Sequence, residues 1–206
     1  MIRRLILFGY NEIIINIHHH ADQIEQFVQS KNDFGIRIAF SDERDKLLDT
    51  GGGLKKASWF FDDGKPFLVH NVDVISDIDF GQLMERQIDS KALATLAVKT
   101  RPSSRYLLFD HQNCLCGWEN TITGEKIIVR PSAEIQPYAF SGIQVVDPDI
   151  FNYISQEGKF SIIDVYLKLA ADHIIKSFEH NKSLWLDVGK VESLTKAGEI
   201  IDEIMK

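Results

Sequence analysis

The feature that most constrains the fold is a strand, a helix and a second strand within residues 12–40. Residues 12–17 are rich in β-branched side chains, which is typical of a strand buried in a parallel sheet. Residues 22–29 form an amphipathic helix pattern, and residues 36–40 alternate as a second strand. Because such a unit joins parallel strands by a right-handed crossover, the sequence predicts an α/β protein with a parallel sheet.

A short apolar run at residues 66–69 ends in a polar stretch that contains Asp73. Ligands of open α/β sheets bind beyond the carboxyl ends of the strands, so Asp73 is well placed to hold a divalent cation against a phosphate. In the other interpretation, Asp73 and Asp77 cap a helix that begins near Asp79. These residues alone leave both interpretations open.

Three consecutive glycines, Gly51 to Gly53, stand between a charged loop at residues 41–50 and a predicted helix at residues 54–61. Glycines that open a helix let the backbone approach a ligand, and free N–H groups there favour anions or base edges. The alternative is a flexible loop. The segment matches neither a Walker A pattern nor a dinucleotide-binding glycine pattern.

After residue 100 the pattern changes to short strands separated by turns. Residues 106–109, 114–118 and 126–129 are predicted to form antiparallel hairpin strands. The other predicted elements are helices at residues 80–87, 148–153, 160–171 and 191–205 and strands at residues 92–99, 138–146, 174–178 and 184–186. No linker or repeat interrupts the chain, so we predict one domain over residues 1–206.

Composition excludes several classes of function. The formal net charge of −7 argues against a nucleic-acid partner. No apolar run approaches the roughly 18 residues of a membrane span, and no signal peptide is recognisable, so we expect no membrane partner. The two cysteines, Cys114 and Cys116, are too few for a disulfide scaffold and have no second pair for a zinc site. We predict reduced thiols and a cytoplasmic protein.

Four motifs follow one another along the chain, at residues 48–54, 71–74, 140–143 and 185–189. In residue types, order and spacing they resemble the sugar-1-phosphate nucleotidyltransferases, most closely N-acetylmuramate-1-phosphate uridylyltransferases and mannose-1-phosphate guanylyltransferase-like proteins. The resemblance covers the chain from residue 1 to its C-terminus. It implies a Rossmann-like nucleotide-diphospho-sugar transferase fold, with a mostly parallel mixed sheet flanked by helices and a small antiparallel hairpin insertion.

The resemblance also implies a reaction. A sugar 1-phosphate oxygen attacks the α-phosphorus of a nucleoside triphosphate and expels pyrophosphate, and Asp73 and Asp187 act as catalytic ligands of Mg²⁺. The other implied site residues are Thr50, Gly51, Gly52, Gly53 and Asn71 for the nucleotide, and Ser141, Gly142, Lys126, Trp118 and Asp164 for the sugar, with Lys126 as the basic group for its phosphate.

Some of these roles have alternatives. Arg130 competes with Lys126 as the basic group for the sugar phosphate. Core packing explains Trp118 and Asp164 equally well, and Asp187 is also interpretable as the N-cap of the last helix.

One part of the family pattern is absent at the amino terminus, namely a first strand and a glycine-rich, arginine-containing loop. Residues 1–8 instead have the pattern of the last turns of a helix, with Gly9 as its C-cap. We therefore expect an N-terminally truncated member with its first strand missing and its activity severely reduced, since the loop would cradle the triphosphate. Exposed strand edges would favour a homodimer that covers the gap. The alternative function is a non-catalytic sugar-nucleotide-binding or regulatory module.

Overall fold

The computed structural model describes residues 1–189 and 197–198. The chain divides into two compact units: Met1–Lys65 with Phe151–Val165, and Pro66–Ile150 with the chain from Tyr166 onward. The prediction of a single domain over residues 1–206 stays a prediction. The helix predicted at residues 191–205 lies outside the described residues. Within the part of the chain that is described, no helix is both long and apolar enough to cross a membrane.

The first unit contains the predicted strand–helix–strand motif. Strands β1 (Glu12–Ile17) and β2 (Arg37–Asp42) pair in parallel, and α2 (Ala21–Ser30) connects them. Their register runs from Glu12 opposite Arg37 to Ile17 opposite Asp42. Ile17 and Val28 are almost completely buried, because the apolar faces of strand and helix meet there. A short helix, α1 (Ile2–Leu7), precedes β1, as predicted.

The glycine-containing helix of the first unit begins earlier than predicted. Helix α3 spans Asp49–Lys56, so it includes all three glycines, whereas the sequence predicted a helix over residues 54–61. Glycine disfavours a helix interior by roughly 1 kcal/mol relative to alanine, which is why the sequence pattern indicated a loop. The contacts that override this preference are described with the candidate site.

The second unit is built on a mixed sheet of seven strands. Strand order is β10-β5-β9-β6-β7-β8, and β3 also pairs with β9. Strands β10 and β5 are parallel, and the β6–β7 and β7–β8 pairs are antiparallel, as predicted for the hairpin insertion. Its strands are β3 (Phe67–His70), β5 (Ala94–Lys99), β6 (Arg105–Phe109), β7 (Leu115–Asn120), β8 (Lys126–Ile128), β9 (Gln136–Val146) and β10 (Ile175–Glu179).

The core of the second unit lies against this sheet. Leu96, Leu108 and Ile143 are fully buried on its strands, together with Phe80 of helix α4 (Phe80–Ser90). Burial of each such side chain contributes roughly 1.5–3 kcal/mol. Helix α5 spans Ile162–Leu169.

A two-stranded antiparallel sheet in the second unit was not predicted in full. Strand β4 (Val74–Ser76) pairs with β11 (Trp185–Asp187), of which only β11 was expected. Helix α4 is capped by Asp79, whose Oδ1 accepts a hydrogen bond of 3.0 Å from the Gln82 backbone N–H. The cap is therefore not Asp73 or Asp77, and the capping interpretation of those residues is wrong.

The strands β1 and β3 are relevant to the first strand that was predicted to be missing. Within residues 1–189, β1 pairs with one strand, β2, and β3 pairs with one strand, β9. The first strand predicted to be missing, and the homodimer predicted to cover its place, stay predictions.

Candidate active site

The pairing of β4 with β11 brings Asp73 and Asp187 together. Asp187 lies opposite Val74 in the antiparallel register, and the Val188 backbone N–H donates to the Asp73 carbonyl oxygen at 2.8 Å. A methyl group placed on Gly189 would lie 3.1 Å from Asp187 Oδ1 and 3.3 Å from Asp73 Oδ2. Both carboxylates are solvent-exposed. Two anionic groups this close repel each other, and a cation between them would offset that repulsion.

Both carboxylates face one small cavity in the second unit, with a volume of about 140 Å³. Five of the residues predicted for the site line it, which are Asn71, Asp73, Ser141, Gly142 and Asp187. The other lining residues are Val74, Arg101, Phe140 and Trp185. The structure thus brings together the two carboxylates predicted as metal ligands and part of the predicted substrate pocket, from strands that are far apart in sequence.

Gly142 lets β3 and β9 approach closely at the cavity. The Asn71 backbone N–H donates to the Gly142 carbonyl oxygen at 2.9 Å, and Gly142 has φ = +73°. A methyl group on Gly142 would lie 2.9 Å from Asn71 Nδ2. The space beside the Gly142 Cα is therefore occupied by the Asn71 side chain.

Ser141 is held from two sides. Its hydroxyl shares a hydrogen bond of 2.7 Å with His180 Nε2, and its carbonyl oxygen accepts from Trp185 Nε1 at 2.9 Å. Ser141 is fully buried and His180 is 5% exposed. Burial lowers the pKa of His180 to about 4, and the nearby cations Lys99 and Arg101 contribute to that shift. His180 is thus a neutral imidazole that fixes one wall of the cavity.

Lys99 fixes the chain that leads into β11. Its ammonium group donates to the carbonyl oxygens of His180, Asn181 and Ser183, at 3.3, 2.7 and 2.7 Å. Because β11 carries Asp187, these three hydrogen bonds help to set the position of that carboxylate.

The predicted nucleotide-binding glycines are packed inside the first unit. The Gly51 and Gly52 N–H groups donate to the Phe160 carbonyl oxygen at 3.0 and 3.3 Å, and Thr50 Oγ1 accepts from the Ile162 N–H at 3.0 Å. These amides were expected to be free for a ligand, and for Gly51 and Gly52 that expectation is wrong because the Phe160 carbonyl oxygen accepts from both.

The same glycines leave no room for side chains. A methyl group on Gly51 would lie 2.5 Å from the Phe160 ring, and one on Gly52 would overlap the Gly158 carbonyl oxygen. One on Gly53 would lie 2.6 Å from Glu43 Oε1. This close packing explains why residues 51–53 are all glycines. Their contact with a nucleotide stays a prediction.

Glu43 organises the loop before α3. This side chain is 4% exposed, and its carboxylate accepts hydrogen bonds from Asn16 Nδ2 at 2.8 Å and from the Leu48 N–H at 3.0 Å. A buried carboxylate needs such donors, because an unpaired one costs several kcal/mol.

The remaining predicted sugar-site residues are not among those that line the cavity. Lys126 on β8 forms an ion pair of 3.4 Å with Glu119, and Trp118 lies on the neighbouring strand β7. The Arg130 guanidinium donates to the His173 carbonyl oxygen at 3.1 Å. Asp164 lies in the first turn of α5, within the first unit.

Arg101 and His180 are the site residues that the sequence interpretation missed. Arg101 follows the carboxyl end of β5, and the rule that selected Asp73 applies to that position too. Nothing in the sequence around His180 indicates its burial, because the hydrogen bond to Ser141 joins residues 39 positions apart.

Comparisons with known proteins bear on this geometry. The family model described as nucleotidyl transferase matches residues 1–203. An N-acetylmuramate alpha-1-phosphate uridylyltransferase of Caulobacter vibrioides is 27% identical, over 92% of this chain and 77% of its own length. A mannose-1-phosphate guanyltransferase of Yarrowia lipolytica is also 27% identical over 92% of this chain, which spans about half of that relative (51%). The solved structure of HddC from Yersinia pseudotuberculosis superposes with a TM-score of 0.74 at 21% identity, over 96% of this chain and 82% of its own.

Proposed function

Because the chain belongs to the nucleotidyl transferase family, we propose that it joins a nucleoside triphosphate to a sugar 1-phosphate. A phosphate oxygen of the sugar 1-phosphate forms a bond to the α-phosphorus. The bond from the α-phosphorus to the bridging oxygen breaks, and its electron pair leaves with pyrophosphate. The observation that carries the proposal is the β4–β11 pairing, which directs Asp73 and Asp187 into one cavity.

The residues present fit a divalent cation of the magnesium type. Asp73 and Asp187 supply oxygen ligands, which Mg²⁺ prefers, and both are open to the cavity. Among the described residues no group of three or more His, Cys, Asp or Glu side chains could hold a metal. Such a sparse protein shell suits Mg²⁺, which usually keeps several waters and takes other ligands from substrate phosphates. When bound, the cation neutralises charge that develops at the phosphorus.

The protein residues contribute mainly by positioning. Proximity and orientation supply much of the rate in phosphoryl-type transfer. The packing of Asn71 against Gly142, and of Ser141 against His180 and Trp185, supports the cavity walls so that they are fixed before a substrate enters.

The names of the relatives support a choice of substrate class. Their names give a uridylyl or guanylyl donor and an amino-sugar acid or hexose 1-phosphate acceptor. We propose UTP or GTP with a sugar 1-phosphate as the pair, and the cytoplasm as the location. Cys114 and Cys116 are both free, as is usual in a reducing compartment.

The test is Mg²⁺-dependent release of pyrophosphate from UTP or GTP, with mannose 1-phosphate or N-acetylmuramate 1-phosphate as acceptor. D73N and D187N should each lower the rate at least 100-fold, because a neutral amide is a far weaker metal ligand. D89N is the matched control, since Asp89 is an exposed carboxylate on α4, and it should keep the wild-type rate.

Two outcomes would contradict the proposal. Pyrophosphate release by D73N or D187N at the wild-type rate would mean that the substituted carboxylate is not needed for the reaction. Tight binding of a nucleotide sugar with no pyrophosphate release from any donor and acceptor pair favours the non-catalytic binding module.

A further inference from the structure

Arg101 is the basic side chain among the residues that line the cavity of Asp73 and Asp187. Its guanidinium carbon lies 4.0 Å from the centre of the Trp185 ring, in the geometry of a cation–π contact. Nη2 donates to the Phe140 carbonyl oxygen at 3.0 Å, and Nη1 donates to that of Pro102 at 3.4 Å. The plane of the guanidinium is therefore fixed by its surroundings.

The charge of Arg101 has no counter-ion in contact among the residues that the structure describes. None of the ion pairs within residues 1–189 includes it. Arg101 Nε is buried and has no hydrogen-bond partner in the described part of the chain. Burial lowers the pKa of the guanidinium, and the charge of Asp187 opposes that shift without forming an ion pair. A buried N–H without a partner is unfavourable, so the surroundings of this guanidinium are not explained by the contacts within residues 1–189.

The arrangement leaves donors available to such an anion. A guanidinium carries five N–H groups in a rigid fork, and the two hydrogen bonds to carbonyl oxygens occupy only part of them. Forks of this kind match the oxygen geometry of a phosphate. A purely structural role in packing against Trp185 would explain the fixed plane, but it would not explain why a cavity-lining guanidinium is in no ion pair among residues 1–189.

The other basic side chains predicted for the sugar phosphate are engaged elsewhere. Lys126 pairs with Glu119, and the Arg130 guanidinium donates to the His173 carbonyl oxygen. Neither belongs to the residues that line the cavity. A dianionic phosphate next to Asp73 and Asp187 needs positive charge, and Arg101 supplies it from the protein.

We propose that Arg101 binds the phosphate group of the sugar 1-phosphate in the cavity of Asp73 and Asp187. The inference rests on the proposed function for the identity of the ligand. The cavity of about 140 Å³ has room for a group of several water-sized atoms. A single phosphate group fits a space of that size.

The test measures binding without turnover. Mannose 1-phosphate, N-acetylmuramate 1-phosphate and inorganic phosphate are titrated calorimetrically into the wild type, R101Q and R101K in Mg²⁺ buffer without nucleotide. R101Q should bind them about 10- to 100-fold more weakly, as expected for loss of a charge-assisted hydrogen bond. R101K keeps the charge but not the fork, so its loss should be smaller. R86Q, which removes an exposed guanidinium on α4 outside the cavity, should bind like the wild type.

Steady-state kinetics give a second readout. R101Q should raise KM for the sugar 1-phosphate while KM for the nucleoside triphosphate stays within about twofold. If R101Q does not fold, as judged by its melting transition, the calorimetric and kinetic measurements are made with R101K instead. Wild-type binding with no pyrophosphate release refutes the proposed function, and the weaker binding of R101Q still supports the role of Arg101.

Three results would overturn the inference. One is wild-type affinity for the sugar 1-phosphates in both Arg101 variants. Another is the absence of any wild-type binding at millimolar concentrations. The third is a loss of UTP or GTP binding in R101Q with sugar 1-phosphate binding unchanged, which would assign Arg101 to the triphosphate.

Discussion

Replacement of His180 by glutamine should change how stability depends on pH. In the folded protein the pKa of His180 is lowered to about 4, by burial first and then by the cations Lys99 and Arg101. An unfolded histidine has a pKa near 6.5. Between pH 6.5 and pH 4 the histidine of the unfolded chain therefore binds a proton, whereas His180 of the folded protein stays neutral. Because of this difference, the free energy of unfolding falls as the pH falls towards 4.

The size of the expected change in stability follows from the difference between the two pKa values of His180. A gap from about 6.5 to about 4 corresponds to roughly 3 kcal/mol in full, of which about 2 kcal/mol is lost between pH 7.5 and pH 5. Glutamine does not titrate, and its amide can still reach the Ser141 hydroxyl that His180 Nε2 contacts at 2.7 Å. H180Q should thus lose about 2 kcal/mol less than the wild type over this range.

Urea unfolding at half-unit steps of pH measures this difference. H111Q is the control, because His111 is exposed in a turn and should leave the wild-type profile unchanged. Parallel profiles for the wild type and H180Q would refute the reasoning, since they would mean that His180 protonates equally in the folded and unfolded states.

Three further substitutions test the packing by urea unfolding. G52A should destabilise the protein by about 1–3 kcal/mol because its methyl group overlaps the Gly158 carbonyl oxygen; a stability equal to wild type would contradict this. G142A should cost about 1–2 kcal/mol at φ = +73°, and it should also lower activity by displacing Asn71, so an unchanged rate would oppose that link. E43Q should cost about 1–3 kcal/mol, because its NH₂ group faces a donor that the carboxylate had satisfied; no loss would argue against a buried carboxylate anchor.

The sequence predicts the parts of the fold that depend on local pattern. The strand–helix–strand unit of residues 12–40 and the hairpins after residue 100 are confirmed, because their apolar periodicity and turn residues lie within short windows. The family and its α/β fold, inferred from four motifs, are confirmed by the family model and by the structural likeness.

Elements that depend on distant contacts were missed or misplaced. Helix α3 begins at Asp49 because the Phe160 carbonyl oxygen accepts from the Gly51 and Gly52 N–H groups, and the Ile162 N–H donates to Thr50 Oγ1 across a separation of 112 residues. Strand β4 has three residues, too few for a period to be recognised, and it exists because β11 pairs with it. Tertiary contacts of this kind override intrinsic propensity.

The candidate site likewise contains residues that the sequence identifies and residues that it does not identify. Asp73 and Asp187 were identifiable because each carboxylate follows a short apolar run in a recognisable motif. Arg101 and His180 were not identified, since their roles arise from contacts with Trp185 and Ser141 that no local pattern encodes.

Binding of Mn²⁺, followed by electron paramagnetic resonance in nucleotide-free protein, tests the central claim that Asp73 and Asp187 share one cation. The wild type and D89N should bind one Mn²⁺. D73N and D187N should each bind at least tenfold more weakly, and the double variant should be little weaker than either, because the two carboxylates act on one ion. Wild-type Mn²⁺ affinity in D73N/D187N would contradict the account.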